Sequence, residues 1–299
     1  MTQKITILGV PMDLGQTRRG VDMGPSAIRY ADVVEKLSDL GHKIEDLGNL
    51  EVAPQTALKS TKNDNLKNFD EVLHISRELA DKVDKIVSDS KFPLIFGGDH
   101  SIAIGTIAGI SKHYKNLGVI WFDAHADMNT LDTTPSGNIH GMPLAINLGH
   151  GNSDLVNILN YFPKIRPENV VIIGARSIDK GEKALIKQLG INVFTMHEID
   201  RLGMSNVIDR TIDILFDCDG VHLSWDMDSL DPLYAPGVGT PVDGGITYRE
   251  AHLTMELLYQ SGIITSAEFV EINTILDQRN KTGRAAVELI LSLFGEKVL

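Results

Sequence analysis

Ile120-Trp121-Phe122-Asp123-Ala124-His125-Ala126-Asp127-Met128-Asn129-Thr130 (IWFDAHADMNT) runs from an apolar strand directly into three side chains able to hold a cation. The apolar run ending at Trp121 and Phe122 reads as a buried central strand, and alternate residues of an extended segment point the same way. Asp123, His125 and Asp127 therefore share a side for as long as the chain stays extended, with Ala124 and Ala126 as small spacers. Two carboxylates and an imidazole at the end of a buried strand are costly to desolvate without a compensating positive charge, and a divalent metal supplies one. In isolation the same triplet reads equally well as a hydrogen-bonded core network.

Outward from this stretch, apolar segments alternate with amphipathic ones. Strands are expected at Lys4 to Val10, Lys43 to Leu47, Phe92 to Phe96, Gly118 to Phe122, Asn169 to Gly174, Ile191 to Thr195, Gly220 to Trp225 and Ile263 to Ile272. Gly24-Pro25-Ser26 opens a helix that Ala27, Tyr30, Ala31, Val34 and Leu37 continue and Gly41 stops. An irregular polar segment runs on to Asn65, and Leu66 to Ile86 is a long amphipathic helix on which His74 faces outward. Further helices are expected after Ser101, around Ala184 to Leu189, and over Val207 to Phe216, Tyr248 to Tyr259 and Thr282 to Phe294. Strands alternating with helices predict an α/β fold, a mostly parallel sheet flanked by helices on both faces. No linker or repeat divides residues 1–299, so a single domain is expected.

In such sheets ligands bind beyond the carboxyl ends of the strands. His100 follows one strand in GGDHS (97–101), Asp123 ends the next, Asp226 and Asp228 end another in SWDMDSLDP (224–232), and Glu271 sits near the end of the last. All of these fall on one edge. The GGDHS turn lacks the phosphate-binding patterns, and Gly97 and Gly98 instead let the backbone turn tightly so that His100 projects over the strand ends. Two carboxylate pairs with His100 and His125 make a ligand set too anionic for one ion, whereas two ions about 3.5 to 4 Å apart can share it. The oxygen-rich donors favour a hard cation such as Mn²⁺, and a bridging water would be acidified into a nucleophile, so the chemistry implied is hydrolysis.

The loop NTLDTTPSGNIHG (129–141) surrounds these ligands. Asn129, Ser136 and Asn138 offer groups suited to a carboxylate or amine, and His140 is placed to move a proton, although taken alone such residues usually make turns. The glycine-bounded loop GQTRRG (15–20) carries Arg18 and Arg19, read as solvated charge. The single cysteine, Cys218, reads as structural. A net charge of −12 argues against nucleic acid as a partner, and 42% hydrophobic residues suit a globular protein. No apolar run approaches the roughly 18 residues of a membrane span, and Met1 to Val10 lacks the features of a signal peptide, so a cytoplasmic location is expected.

Four segments in order, GGDHS, DAHADMNT, SGNIHG and SWDMDSLDP, resemble the ureohydrolases, and SGNIHG with VEIN at Val270 to Asn273 resembles the arginases of bacterial type within them. The resemblance covers essentially the whole chain. It implies a parallel sheet of eight strands, two Mn²⁺ per subunit, hydrolysis of L-arginine to L-ornithine and urea by a bridging hydroxide, and a homo-oligomer, a trimer or hexamer. Carried over by motif, His100, Asp123, Asp127 and Asp226 hold one Mn²⁺, and Asp123, His125, Asp226 and Asp228 the other, with Asp123 and Asp226 bridging. Asp127 also orients the hydroxide, Glu271 pairs with the guanidinium, and His140 shuttles a proton to the leaving amine. Asn129, Ser136 and Asn138 meet the α-carboxylate and Asp179 the α-amino group, with Glu182 and Thr240 as further contributors. Thr274 departs from the proline that relatives often carry after Glu-Ile-Asn. The rival readings are an agmatinase or another ureohydrolase, and a non-catalytic metal-binding protein.

Overall fold

The computed structural model describes residues 2–53 and 66–297. Most of the polar stretch running to Asn65 lies outside them. The strands β1 (Lys4–Val10), β2 (Lys43–Asn49), β3 (Phe92–Gly97), β4 (Leu117–Phe122), β5 (Val170–Ile173), β6 (Asn192–Phe194), β7 (Gly220–Asp226) and β8 (Ile264–Val270) form one eight-stranded sheet. Its order is β2-β1-β3-β8-β7-β4-β5-β6, and every pairing is parallel.

The period-2 alternation of the strands divides the core in two. Trp121, Ile95, Val10 and Val119 pack on one face against the helices Phe69–Ser88 and Ala103–Ser111. Ile120, Phe122, Phe96 and Trp225 face the other way, onto Gly24–Arg29, Met204–Ile214, Tyr248–Ser261 and Lys281–Leu293. Central strands covered on both faces need apolar side chains in both directions, which is why β4 reads LGVIWF without a polar interruption and is buried throughout.

The expected first helix is two. Gly24–Arg29 and Val33–Asp39 are separated by Asp32, which takes φ 63°. The break turns the second helix so that Val33 and Leu37 bury fully, while Tyr30, expected on the apolar face, is left 85% exposed. The expected surface position of His74 is found. Cys218 is half-buried, and burial with Asp219 and Asp217 nearby pushes its thiol up to about 11, so it is not activated as a nucleophile.

The topology places the site. The last two strands insert between β3 and β4, so the central order β3-β8-β7-β4 brings the ends of four strands together. Chain positions near 100, 125, 227 and 271 become neighbours only through this insertion.

Candidate metal centre

After β3 the chain folds tightly against the segment following β1. A Cβ at Gly98 would lie 1.8 Å from the Met12 carbonyl oxygen, and the Gly98 and Asp99 amides donate to Val10 and Met12 carbonyls at 2.8 and 2.7 Å. Asp99 is fully buried and accepts from the Gly15 and Ser101 amides at 2.7 and 3.0 Å. The turn so fixed lays the His100 ring flat on Trp121, with centroids 4.0 Å apart and planes 7° apart.

β4 ends at Phe122, and the chain beyond it does not stay extended. Asp127 takes φ 51°, in the left-handed region that few non-glycine residues enter, and such positions cluster where function holds the backbone. The expectation that alternation alone gathers Asp123, His125 and Asp127 on one side is therefore corrected: a bend directs them to different neighbours. Asp123 Oδ2 accepts from the Trp121 indole (3.0 Å) and Oδ1 from the His125 amide (2.7 Å). At the end of β7, Asp226 Oδ1 accepts from the Asp228 amide at 2.7 Å. Asp228 accepts from the Ala124 amide at 3.2 Å and from the Thr240 hydroxyl at 2.9 Å.

Two donor groups result, His100 with Asp123 and Asp226, and Asp123 with His125 and Asp228. The first includes Asp127 by distance. His100 Nδ1 lies 3.2, 3.1 and 3.2 Å from oxygens of Asp123, Asp127 and Asp226. His125 Nδ1 lies 3.3 Å from Asp123 and 3.1 Å from Asp228. Asp123 belongs to both groups, whereas Asp226 joins only the first.

A cation fits the His100 group for a reason of hydrogen-bond direction. His100 Nε2 is 2.8 Å from Ser224 Oγ, and that hydroxyl donates to Glu268 Oε1 at 2.7 Å, so Ser224 accepts from Nε2–H. The proton is then on Nε2, and Nδ1 presents a lone pair to three carboxylate oxygens without a hydrogen bond to any of them. Acceptors converging on an acceptor repel unless a positive ion lies between them.

The electrostatics agree. Burial and the neighbouring Asp228 and Asp123 push Asp226 well above the usual carboxylate range, and burial with Asp123 nearby lifts Asp127 to about 6. Burial and Asp123 also raise Asp228. Burial pulls His100 and His125 down, but the facing carboxylates outweigh it and raise both, so without a metal a proton takes the place that an ion would hold. The pocket demands more positive charge than its own side chains carry.

A cleft of about 150 Å³ opens over these groups. It is lined by His125, Asp127 and Asp226 together with Asn129, Ser136, Asn138, His140, Asp179, Glu182 and Thr240. The sequence-expected substrate residues thus meet in one place. Asn129 Nδ2 donates to Asp179 Oδ2 at 3.0 Å, and Asn138 Oδ1 accepts from Thr17 and Lys67 at 3.0 and 2.9 Å. Asp179 precedes the helix Lys180–Leu189, and its amide donates to Glu182 Oε2 at 2.7 Å. Glu182 Oε1 accepts from the Met128 amide at 3.0 Å, and burial lifts its carboxyl to about 7. Glu182 thereby ties Asp179 to the metal-side loop.

Glu271 stands behind the cleft wall, 1% exposed, with φ 65°. Its Oε1 accepts from the His100 amide and lies 3.0 Å from His140 Nδ1, and its Oε2 accepts from Gln16 at 3.1 Å. Burial pulls the His140 imidazole down, but Glu271 outweighs it and holds the group at about 9.

Several contributors escaped the sequence reading. Trp121 supports both His100 and Asp123, and Gln16 holds Glu271. Arg176 donates to the carbonyls of Asp228, Ser229, Leu230, Val242 and Gly174, pinning the turn after β7. Its place in ARSID, just before Asp179, was the available signal. Arg18 and Arg19 are anchored rather than simply solvated, because Arg18 donates to the Gly239 carbonyl at 2.7 Å and Arg19 pairs with the buried Asp13 at 2.7 Å. At the departure after Glu-Ile-Asn, Asn273 Oδ1 accepts from the Ile275 and Leu276 amides at 3.1 and 3.3 Å, so a side-chain turn holds the loop.

Comparison with known proteins places this geometry. The model of the Arginase family matches residues 3–295. An arginase of Bacillus subtilis (strain 168) is 64% identical over 299 residues, covering 100% of both chains. The crystal structure of arginase from Bacillus caldovelox superposes with a TM-score of 0.97 at 59% identity, covering 100% of both chains. That of Entamoeba histolytica arginase in complex with L-ornithine superposes with a TM-score of 0.89 at 34% identity, covering 99% of both.

Proposed function

Because the chain belongs to the arginase family, we propose that it hydrolyses the guanidinium group of L-arginine to L-ornithine and urea at a pair of metal ions. The observation that carries this reading is His100 Nδ1 within 3.2 Å of three carboxylates, beside a second imidazole facing two, under a cleft lined by amide and hydroxyl groups. His100, Asp123, Asp127 and Asp226 would hold one ion and Asp123, His125 and Asp228 the other, which Asp226 would join through the oxygen that now accepts from the Asp228 amide. The carboxylate-rich set favours two Mn²⁺. When bound, such a pair would supply an acidified water as nucleophile.

The remaining work falls to this chain's own side chains. Asp127, facing the cleft, would accept a hydrogen bond from the nucleophilic water and aim it at the guanidinium carbon. Glu271 would supply negative charge to the guanidinium from behind the cleft wall, exchanging its present partners, the His100 amide, His140 and Gln16, for the substrate's N–H donors. Gly239 leaves its approach open, since a Cβ there would lie 2.8 Å from Glu271 Oε2. His140, protonated at neutral pH beside Glu271, gives its proton to the leaving amine. Asn129, Ser136 and Asn138 receive the α-carboxylate and Asp179 the α-amino group. Glu182 and Thr240 work from behind, Glu182 on the Asp179 turn and Thr240 on Asp228.

Residues 1–299 are proposed as one ureohydrolase domain, assembling as a homo-oligomer, a trimer or hexamer, in the cytoplasm. Among the described residues no helix is long and apolar enough to cross a membrane.

An agmatinase would act on a substrate without an α-carboxylate, and the Asn129, Ser136 and Asn138 cluster would then have nothing to bind. A silent metal-binding protein would not need His140 and Glu271 in contact at the cleft. Steady-state urea release from L-arginine and from agmatine separates these readings. L-Arginine is expected to be turned over much faster, and the reverse preference, or no urea from either, would sink the assignment.

A further inference from the structure

The interior of the sheet carries a polar line where apolar side chains are expected. His222 and Ser224 of β7 are in register with Ser266 and Glu268 of β8, and the four are between 0% and 1% exposed. Ser224 Oγ donates to Glu268 Oε1 at 2.7 Å, His222 Nε2 lies 3.4 Å from the same oxygen, and His222 Nδ1 is 2.9 Å from Ser266 Oγ. At its upper end the line reaches His100 Nε2, 2.8 Å from Ser224 Oγ.

A carboxylate at the centre of a sheet is costly to bury, and Glu268 Oε2 has no hydrogen-bond partner among the described residues. Packing therefore does not account for this residue, but hydrogen-bond direction does. An ionised carboxylate can only accept, so Ser224 must donate downward and accept from above. Burial pushes the Glu268 carboxyl up, but the facing His222, with Ser224, holds the group below its ordinary value.

We infer that Ser224 and Glu268 are positioning residues for His100, fixing its proton on Nε2 and aiming its Nδ1 at one of the two metal positions. This rests on the two-metal reading above. Metal-binding histidines commonly donate their second ring nitrogen to a carboxylate or carbonyl, and loss of such a partner weakens metal binding. Here the carboxylate acts through one intervening hydroxyl, from inside the sheet. The relay touches His100 alone, so its loss weakens one ion and spares the position held by His125.

The test dialyses the Mn²⁺-loaded full chain against falling free Mn²⁺, counting Mn²⁺ per chain and recording its electron paramagnetic resonance spectrum. The wild type is expected to hold two ions with a spin-coupled signal. Ser224→Ala should release one ion at about 10- to 100-fold higher free Mn²⁺, leaving the uncoupled six-line spectrum of the other. Glu268→Gln, nearly the same shape without the charge, should weaken the same ion by a smaller factor, and Ser224→Thr, which restores the hydroxyl, should hold both. Circular dichroism confirms that each variant is folded. Release of both ions together, or at the wild-type concentration, in the folded Ser224→Ala and Glu268→Gln chains would overturn the inference. A wild-type chain holding fewer than two ions would overturn the metal reading itself.

Discussion

Replacing His140 by Ala or Asn separates proton transfer from metal binding. His140 lines the cleft, and its ring contacts Glu271 at 3.0 Å while belonging to neither metal group. With Glu271 holding it at about 9, the imidazole is about 99% protonated at pH 7. A positioned general acid contributes about 10²- to 10⁴-fold, so kcat should fall by that factor, equivalent to ~3 to 5 kcal/mol of barrier. Both ions should remain. In the wild type, kcat should decline as pH rises through the His140 pKa, and bound cations, which repel the imidazolium, place that break at or below about 9. The variants should lose the break. The folded-state pKa lies above the unfolded 6.5, so the ion pair's contribution to stability is full below pH 6.5 and is lost as pH rises through about 9. The shift corresponds to about 3 kcal/mol, so wild type and His140→Asn should differ most in thermal midpoint near pH 6 and converge above pH 9. Urea assays across pH 6 to 10, with metal counted by mass spectrometry, decide it. An unchanged rate, or a basic break that survives in His140→Asn, would refute the shuttle.

Other perturbations probe the rest of the site. Asn129→Ala and Asp179→Ala should raise KM for L-arginine by about 10-fold or more, the worth of a hydrogen bond to a charged group, and leave agmatine nearly unaffected; equal effects on both would remove these residues from amino-acid recognition. Arg176→Ala frees the carbonyls of Asp228, Ser229 and Leu230 and should lower the thermal midpoint by about 5 °C, read by circular dichroism. Stripping the metals should invert the pH dependence of stability. Asp127, lifted to about 6, and Asp226, also raised, bind protons more tightly folded than unfolded, so the metal-free chain should lose stability as pH rises through about 6. Added Mn²⁺ should therefore stabilise more at pH 8 than at pH 5, and a pH-independent thermal midpoint of the stripped chain would count against the buried carboxylate cluster.

The six inner strands were legible because parallel strands buried on both faces leave apolar runs such as IWF and VVII, whereas the edge strands β2, KIEDLGN, and β6, NVF, are short of such a run and were read from their place between helices. The gathering of His100, Asp123, His125, Asp226 and Asp228 was legible because each stands at or just beyond a strand end. Strand order was not. That β7 and β8 insert between β3 and β4 follows from how the helices pack, which no local pattern records. The first helix was misjudged because Ala27 to Leu37 keeps helical spacing across Asp32, where the backbone turns left-handed. Likewise Trp121 reads as core, and only its indole bond to Asp123 and its stacking on His100 show a second role. Arg176 and Gln16 act on partners more than 50 residues away, a distance at which sequence spacing carries no information.

The central claim is that two ions on the Asp123-centred cluster hydrolyse L-arginine. Its most direct test is a titration of the metal-stripped chain with Mn²⁺, following urea released from L-arginine against ions bound per chain. Urea release should rise to its full value only as the second ion binds. Full activity with one ion, or none with two, would contradict the account.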